Sequence, residues 1–259
     1  MPRDEVMFCD LQSKSHNMKR PRSLGRGIFT MKNLMIYVNP VREFTEDYSR
    51  LVKVQIDYCR QIGWRDSDIM LVTNFPYSYS EKESIIVPDK LFCQHRKKAS
   101  KVNVICHLLK NGLLDDMCWF HDFDAYQASS FPKNILGGFD AAFVDYATND
   151  MWNTGSFFFK QSSLDIFEAI RRVMNERRIN EEFALKYLTD RDTDGINKRY
   201  IKLNNTYNLG RMRQNDYTFG LANKPIKVFH FHPRMTQLYE EVKPLLPNYL
   251  IEIFKKHGY

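Results

Sequence analysis

A chain of 259 residues, 43% hydrophobic, 27% charged and 14% aromatic, can bury a sizeable core and has the composition of a folded protein, which sets aside disordered and fibrous classes. No run approaches the roughly 20 apolar residues of a membrane helix. The first ten residues carry Asp4, Glu5 and Asp10 where a signal peptide would be apolar, so a soluble, cytoplasmic protein is expected.

The net charge of +7 and an isoelectric point near 9.0 invite a nucleic-acid reading, and the distribution of charge answers it. Residues 1–30 hold Arg3, Lys14, Lys19, Arg20, Arg22 and Arg26 against three acids, which leaves +4 over the other 229 residues. Much of the excess sits in a short segment, and the body is close to balanced. No nucleic-acid partner is therefore expected, and a basic DNA-binding arm is kept as the non-enzymatic alternative. Five cysteines (Cys9, Cys59, Cys93, Cys106, Cys118) form no CxxC pair and read as reduced thiols.

Residues 1–30 contain Pro21, Gly25 and Gly27 and no sustained periodicity, which predicts a mobile basic tail ahead of a domain spanning 31–259. Met31 opens that domain and is an alternative start. Leu34-Met35-Ile36-Tyr37-Val38, ended by Asn39-Pro40, is the continuous apolar run of a strand buried on both faces. Tyr48, Val52, Ile56, Cys59 and Ile62 recur at helical spacing, and Gly63 closes that helix. Ile69-Met70-Leu71-Val72 is a second strand, ending in Thr73-Asn74. Val102, Ile105, Leu108 and Leu109 mark a helix stopped by Asn111-Gly112. Residues 117–120 form a third buried strand that runs straight into His121-Asp122-Phe123-Asp124. This alternation predicts an α/β domain around a mostly parallel sheet.

Further on, residues 141–144 and 156–159 are short strands with a polar connection. Leu164, Phe167, Ile170, Val173 and Met174 make an amphipathic helix, with Ser162 or Ser163 as its cap. Asn180, Glu181 and Glu182 open another, carrying Phe183, Leu185 and Leu188. A strand over 226–231 precedes a final helix at about 249–255.

Three constellations carry chemistry. Asp122 and Asp124 follow a buried strand, at the strand end where open α/β sheets bind ligands. Two positions apart, their carboxylates share a side while Phe123 points away, and hard oxygen pairs suit Mn²⁺ or Mg²⁺ beside a diphosphate. His230 and His232, in Val228-Phe229-His230-Phe231-His232, share one face of a strand, and imidazole is a good further ligand. Arg234 follows as a phosphate candidate. Trp152-Asn153-Thr154-Gly155 places an amide, a hydroxyl and a glycine in a tight turn before Ser156, which could offer polar groups to a sugar.

In order and spacing, these motifs resemble GT-A glycosyltransferases over residues 32–254, with chlorella-virus and bacterial polysaccharide transferases as similar members. FHDFDAY looks like the family's DxD motif, MWNTGSFFFK its sugar-binding strand, and VFHFH its histidine strand. The resemblance implies a single GT-A domain, with helices flanking a mostly parallel sheet and a smaller mixed sheet on the acceptor side. It implies a hexosyltransferase-type enzyme that moves sugar from a nucleoside-diphosphate sugar to a glycan or glycoconjugate hydroxyl. Asp122 and Asp124, with His230 or His232, would hold the ion. Base and ribose would lie against Val38, Asn39, Pro40, Thr73 and Asn74. Arg96, Lys97, Lys98 and Lys101 are candidates to approach the diphosphate, and Asn153, Thr154 and Gly155 to approach the sugar. Glu181 or Glu182 would serve as general base in an inverting member. Many retaining members follow the histidine with a glycine and Lys-Pro-Trp. Here Pro233-Arg234 stands instead, so the stereochemical class stays open. A nucleotidyltransferase acting on sugar phosphates would need the same sheet and carboxylates, but also a glycine-rich loop after the first strand. Residues 39–44 contain no glycine.

Overall fold

The computed structural model describes residues 31–114, 117–210, 216–231 and 235–259, so the expected tail over 1–30 lies outside the described residues. In chain order the elements are β1 (Met31–Tyr37), α1 (Glu46–Gln61), β2 (Ile69–Thr73), β3 (Ser78–Tyr79), β4 (Lys82–Glu83), β5 (Ile85–Ile86), α2 (Ser100–Lys110), β6 (Met117–His121), β7 (Ala125–Gln127) and β8 (Ala141–Asp145). They continue with β9 (Trp152–Phe159), α3 (Leu164–Arg177), α4 (Glu181–Asp190), β10 (Tyr200–Leu203), α5 (Asp216–Leu221), β11 (Val228–His230), α6 (Met235–Val242) and α7 (Asn248–Lys256).

Seven strands form one sheet in the order β10-β8-β9-β6-β1-β2-β5. β6, β1, β2 and β5 are mutually parallel, β8 and β10 are parallel to each other, and β9 runs antiparallel to both neighbours. The apolar runs read in the sequence are continuous because both faces are covered. Leu34, Met70, Val72, Phe120, Phe157 and Phe159 pack on one side with Val102, Ile105 and Leu109 of α2 and Phe167 and Ile170 of α3. Met35, Ile69 and Leu71 pack on the other with Leu51, Val52, Ile56 and Cys59 of α1. The period-two alternation of each strand thus feeds two apolar layers rather than one.

The far side of α1 is covered too. Val54 and Tyr58 pack with Leu250 and Phe254 of α7 and Phe231 beyond β11. Asp57 binds Tyr79, Lys256 and His257, which fastens the start of the domain to its C-terminal helix. Gly63 and Gly112 take positive φ where the helices α1 and α2 end, the left-handed conformation that glycine adopts without a Cβ penalty.

Three local expectations change. Asn153, Thr154 and Gly155 lie inside β9, not in a turn before it: β9 extends past the end of β6, and its register with β8 shifts between Ala142 and Val144. The Ser163 hydroxyl donates back to the Lys160 carbonyl and makes no cap hydrogen bond to α3. Phe183 of α4 is exposed, while Ala184, Leu185 and Leu188 face the core. Asn180 caps α4 as expected, its side chain accepting from the Phe183 amide. Cys59, Cys93, Cys106 and Cys118 are buried and form no disulfide. Among the described residues, no helix is long and apolar enough to cross a membrane.

Candidate metal centre and its surroundings

β1, β2 and β6 end at the same edge of the sheet, and β9, running the other way, begins there. β6 stops at His121, and residues 122–124 turn rather than continue extended, with the Ala125 amide donating to the Asp122 carbonyl at 3.0 Å. Phe123 points inward, into rings contributed by Tyr37, Phe44 and Tyr48. Asp122 and Asp124 remain at the surface of the turn.

β7 follows at once and pairs with β11 so that His230 stands opposite Ala125. That register brings an imidazole from the far end of the sequence onto the two carboxylates. Ligand atoms of Asp122, Asp124 and His230 all lie within 4.8 Å of one another. His230 Nε2 is 3.3 Å from Asp124 Oδ1 and 3.9 Å from Asp122 Oδ2. On the other side of the ring, Nδ1 lies 2.9 Å from Asn208 Oδ1, an oxygen that can only accept. Nδ1 therefore carries a proton, and Nε2 faces the carboxylates, protonated in the charged ring and offering its lone pair to a metal ion in the neutral one.

Gly155 explains how the ring fits. A Cβ at this position would come within 2.1 Å of His230 Cε1, so any side chain would displace the histidine. Two oxygens and one nitrogen at this spacing suit Mn²⁺ or Mg²⁺. Burial disfavours the charged form of His230, but Asp124 and Asp122 outweigh it and raise its pKa. Asp122 is also raised, chiefly by desolvation, with Lys101 and His230 acting against it.

Lys101 enters from α2. Its buried ammonium donates to the Thr154 carbonyl at 2.8 Å, lies 3.0 Å from Glu181 Oε1, and stands 3.6 Å from Asp122 Oδ1. Burial opposes its charge, yet Asp122 and Glu181 push its pKa above the ordinary lysine value. Glu181 also accepts from the Thr154 hydroxyl. Despite burial, Lys101 holds the Glu181 pKa below the usual range. Glu182, only partly buried, accepts from the Thr154 amide and Tyr146 hydroxyl, and burial raises its pKa against the pull of Lys101. Two neighbouring carboxylates are thus driven apart: Glu181 is held ionised, and Glu182 is closer to taking up a proton.

Lys97, Arg96 and Lys98 are exposed, and of the four basic candidates only Lys101 reaches this cluster. Asn74 is buried, its side chain accepting from the Asn39 amide and donating to the Asn39 carbonyl and to Asp89. The buried Thr73 hydroxyl donates to the Phe75 carbonyl. Val38 is also buried, Asn39 is half-buried and Pro40 is exposed. Asn153 is buried, accepting from the Gly155 amide and in contact with Asn208, whose amide donates to the Asn153 carbonyl. His232 and Arg234 lie outside the described residues.

Three residues at the site were not singled out in the sequence. Asn208 orients His230. Tyr48 stands close enough to Asp122 and Asp124 that their charges, after burial, raise its phenol pKa. Gln55 donates to the carbonyls of Phe123 and Ala125 at 2.9 and 2.8 Å. The only available signal was a glutamine within the buried stripe of α1.

No protein-family model and no curated protein sequence matches the chain. Solved structures do. A glycosyltransferase involved in glycosylation of the major capsid of PBCV-1 superposes with a TM-score of 0.51 at 14% identity, over 82% of this chain and 99% of that one. The glycosyltransferase GlyE of Streptococcus pneumoniae TIGR4 gives 0.52 at 11% identity over 88% of this chain, which spans 63% of GlyE. Its apo form gives 0.51 at 12%. The chain has the GT-A glycosyltransferase fold.

Proposed function

We propose that this chain is a metal-dependent glycosyltransferase that moves a hexosyl unit from a nucleoside-diphosphate sugar to a hydroxyl of a glycan or glycoconjugate. In this reading residues 31–259 are one catalytic domain behind a basic N-terminal segment. The observation that carries it is the convergence of Asp122, Asp124 and His230 at the carboxyl edge of a GT-A sheet. Counting Asp122, Asp124, Glu181 and Glu182 against Lys101, the cluster holds a surplus of negative charge even with His230 protonated, which favours a divalent cation.

Asp122, Asp124 and His230 would hold Mn²⁺ or Mg²⁺. When bound, the ion neutralises charge on the departing nucleoside diphosphate as a Lewis acid. Asn39 and Pro40 form the open rim for base and ribose, with Asn74 fixing the Asn39 backbone from beneath. Lys101 holds Glu181 ionised and stations a positive charge beside Asp122. Gly155 lets His230 close over β9, while Asn153 and Thr154 brace that strand against residue 208 and α4. Glu182, with its raised pKa and partial exposure, is the better placed of the two glutamates to take the acceptor hydroxyl proton.

A thermal-shift panel of UDP-, GDP-, TDP- and CMP-sugars with and without Mn²⁺ tests the reading. A ligand at a hundred times its dissociation constant stabilises the native state by about 2.7 kcal/mol. A Mn²⁺-dependent shift with one nucleotide class is expected. No shift with any donor at millimolar concentration would overturn it.

A further inference from the structure

Each of the four carbonyls of the turn at 122–125 has a hydrogen-bond partner, and for three of them the donor comes from elsewhere in the chain. The Asp122 amide donates to the Gly155 carbonyl, and the Asp124 carbonyl accepts from the Phe231 amide. The Asp122 carbonyl receives the Ala125 amide and faces His121 Nδ1 at 3.0 Å. The remaining two carbonyls, of Phe123 and Ala125, share a single donor, the side-chain amide of Gln55.

Gln55 is 1% exposed, in the middle of α1, among Leu51, Val52, Val54, Ile56 and Tyr58. Burying an amide in an apolar helix face is costly unless its polar atoms are matched, and an apolar side chain would serve the packing of α1 equally well. The turn, by contrast, would lose the donor for two buried carbonyls. One helical turn on, Cys59 shares the face of Gln55 and touches the Asn33 amide at 3.2 Å. That amide in turn lies 2.7 Å from His121 Nε2. Asn33, Cys59 and His121 are all essentially inaccessible. A buried polar path therefore runs from Cys59 of α1 through Asn33 of β1 to His121, whose Nε2–H donates to the Asn33 oxygen, and Gln55 reaches Phe123 and Ala125 directly.

We propose that Gln55 is a positioning residue for a divalent cation at Asp122, Asp124 and His230. This rests on the metal-dependent reading above. Gln55 does not touch the ion: it fixes the Cα positions from which the two carboxylates project, while Phe123 anchors the turn among aromatic rings. Groups that orient metal ligands from behind typically change affinity about 10- to 100-fold when removed.

The test is the Mn²⁺ dissociation constant of the full chain, read from the EPR signal of free Mn²⁺ well below the unfolding temperature, with metal-free thermal unfolding recorded in parallel. Gln55→Met keeps the length of the side chain and removes its donor. A roughly tenfold weaker dissociation constant in folded protein is expected. Mn²⁺ affinity within about twofold of wild type, whatever the loss of stability, would make Gln55 a packing residue and overturn the inference. If Gln55→Met does not fold, Gln55→Leu, which likewise removes the donor and keeps an apolar side chain on this face of α1, carries the same measurement and the same criterion. Failure of the wild-type chain itself to bind Mn²⁺ at millimolar concentration would remove the metal-dependent reading and this inference together, an outcome distinct from equal binding by wild type and variant.

Discussion

Asp122 with Asp124, and Glu181 with Glu182, are two acidic pairs at the same edge of the sheet, positioned by different means. The aspartates sit on a turn held through its backbone, and their carboxylates face each other and His230. The glutamates sit at the start of α4 and are held through their side chains, Glu181 by Lys101 and Thr154, Glu182 by Tyr146 and the Thr154 amide. A carboxylate whose backbone is held keeps oxygens available to a ligand. One whose oxygens are already bound by an ammonium and a hydroxyl acts as structure. In the proposed reading the aspartate pair binds the ion, Glu181 is a brace, and Glu182, bound by neutral donors and with a raised pKa, is the candidate base.

The comparison breaks first at Asp124. A metal ion supplies several kcal/mol of transition-state stabilisation, and each 1.36 kcal/mol is tenfold in rate. Asp124→Ala is therefore expected to lower metal-dependent turnover by roughly 10³-fold while circular dichroism stays native. Wild-type turnover in that variant would end the assignment.

Lys101→Met tests the brace. Removing one partner of a buried ion pair costs about 3 kcal/mol, because the other is left charged and dry. The sign with pH is diagnostic. In wild type the depressed Glu181 pKa contributes stability above the ordinary glutamate value, about 4.3, and that contribution is lost as pH falls through the lower folded value. Without Lys101, only the Thr154 hydroxyl and a backbone amide oppose burial, so the Glu181 pKa is expected to rise and the variant to lose stability as pH rises from 5 to 8. Urea unfolding across that range measures it, and parallel pH curves for both proteins would show that Lys101 is not the partner that matters.

Glu182→Gln separates the two glutamates. A general base contributes about 10²-fold or more, and a raised pKa means that wild-type activity should climb as pH passes upward through it. The variant is expected to be about 10²-fold slower, with that acidic limb flattened. An unchanged pH–rate profile would instead make Glu182 a second brace.

The smallest effect is expected from Gly155→Ala. Its Cβ must displace His230 or move β9, and overpacking of this kind costs about 1–3 kcal/mol. Mn²⁺ affinity should fall by about tenfold as the third ligand shifts. Retention of wild-type affinity would place the ligand set elsewhere.

The frame of the fold was legible in the sequence because both faces of the sheet are covered. Residues 34–38, 69–72 and 117–120 are continuous apolar runs for that reason, and the glycines at 63 and 112 mark real helix ends. The Asp122–Asp124 turn was legible for a related reason: paired acids seldom follow a buried strand so directly. Lys101 could not be told from Arg96, Lys97 and Lys98, since a helix start gives no sign of which side faces the sheet edge until the register of α2 is known. β9 was read too short because Asn153, Thr154 and Gly155 are turn-forming types. They lie in a strand here because its pairing with β8 shifts register and its backbone reaches over the Asp122 turn. The roles of Gln55 and Asn208 are visible only in three dimensions, where Gln55 is matched to two buried carbonyls and Asn208 to the His230 ring and the Asn153 carbonyl.

The pairing of β11 with β7 also bears on how the molecule is made. Asp122 and Asp124 must wait about a hundred residues for His230, and β11 can dock only on a β7 that is already in place. Closing so long a loop carries an entropic cost before any contact rewards it, which makes such pairings late events. During synthesis the sheet core can collapse from the first 200 residues or so. The Asp122–Asp124–His230 cluster cannot be complete until the segment containing β11 has been made, so competence to bind metal would report that β11 has docked on β7.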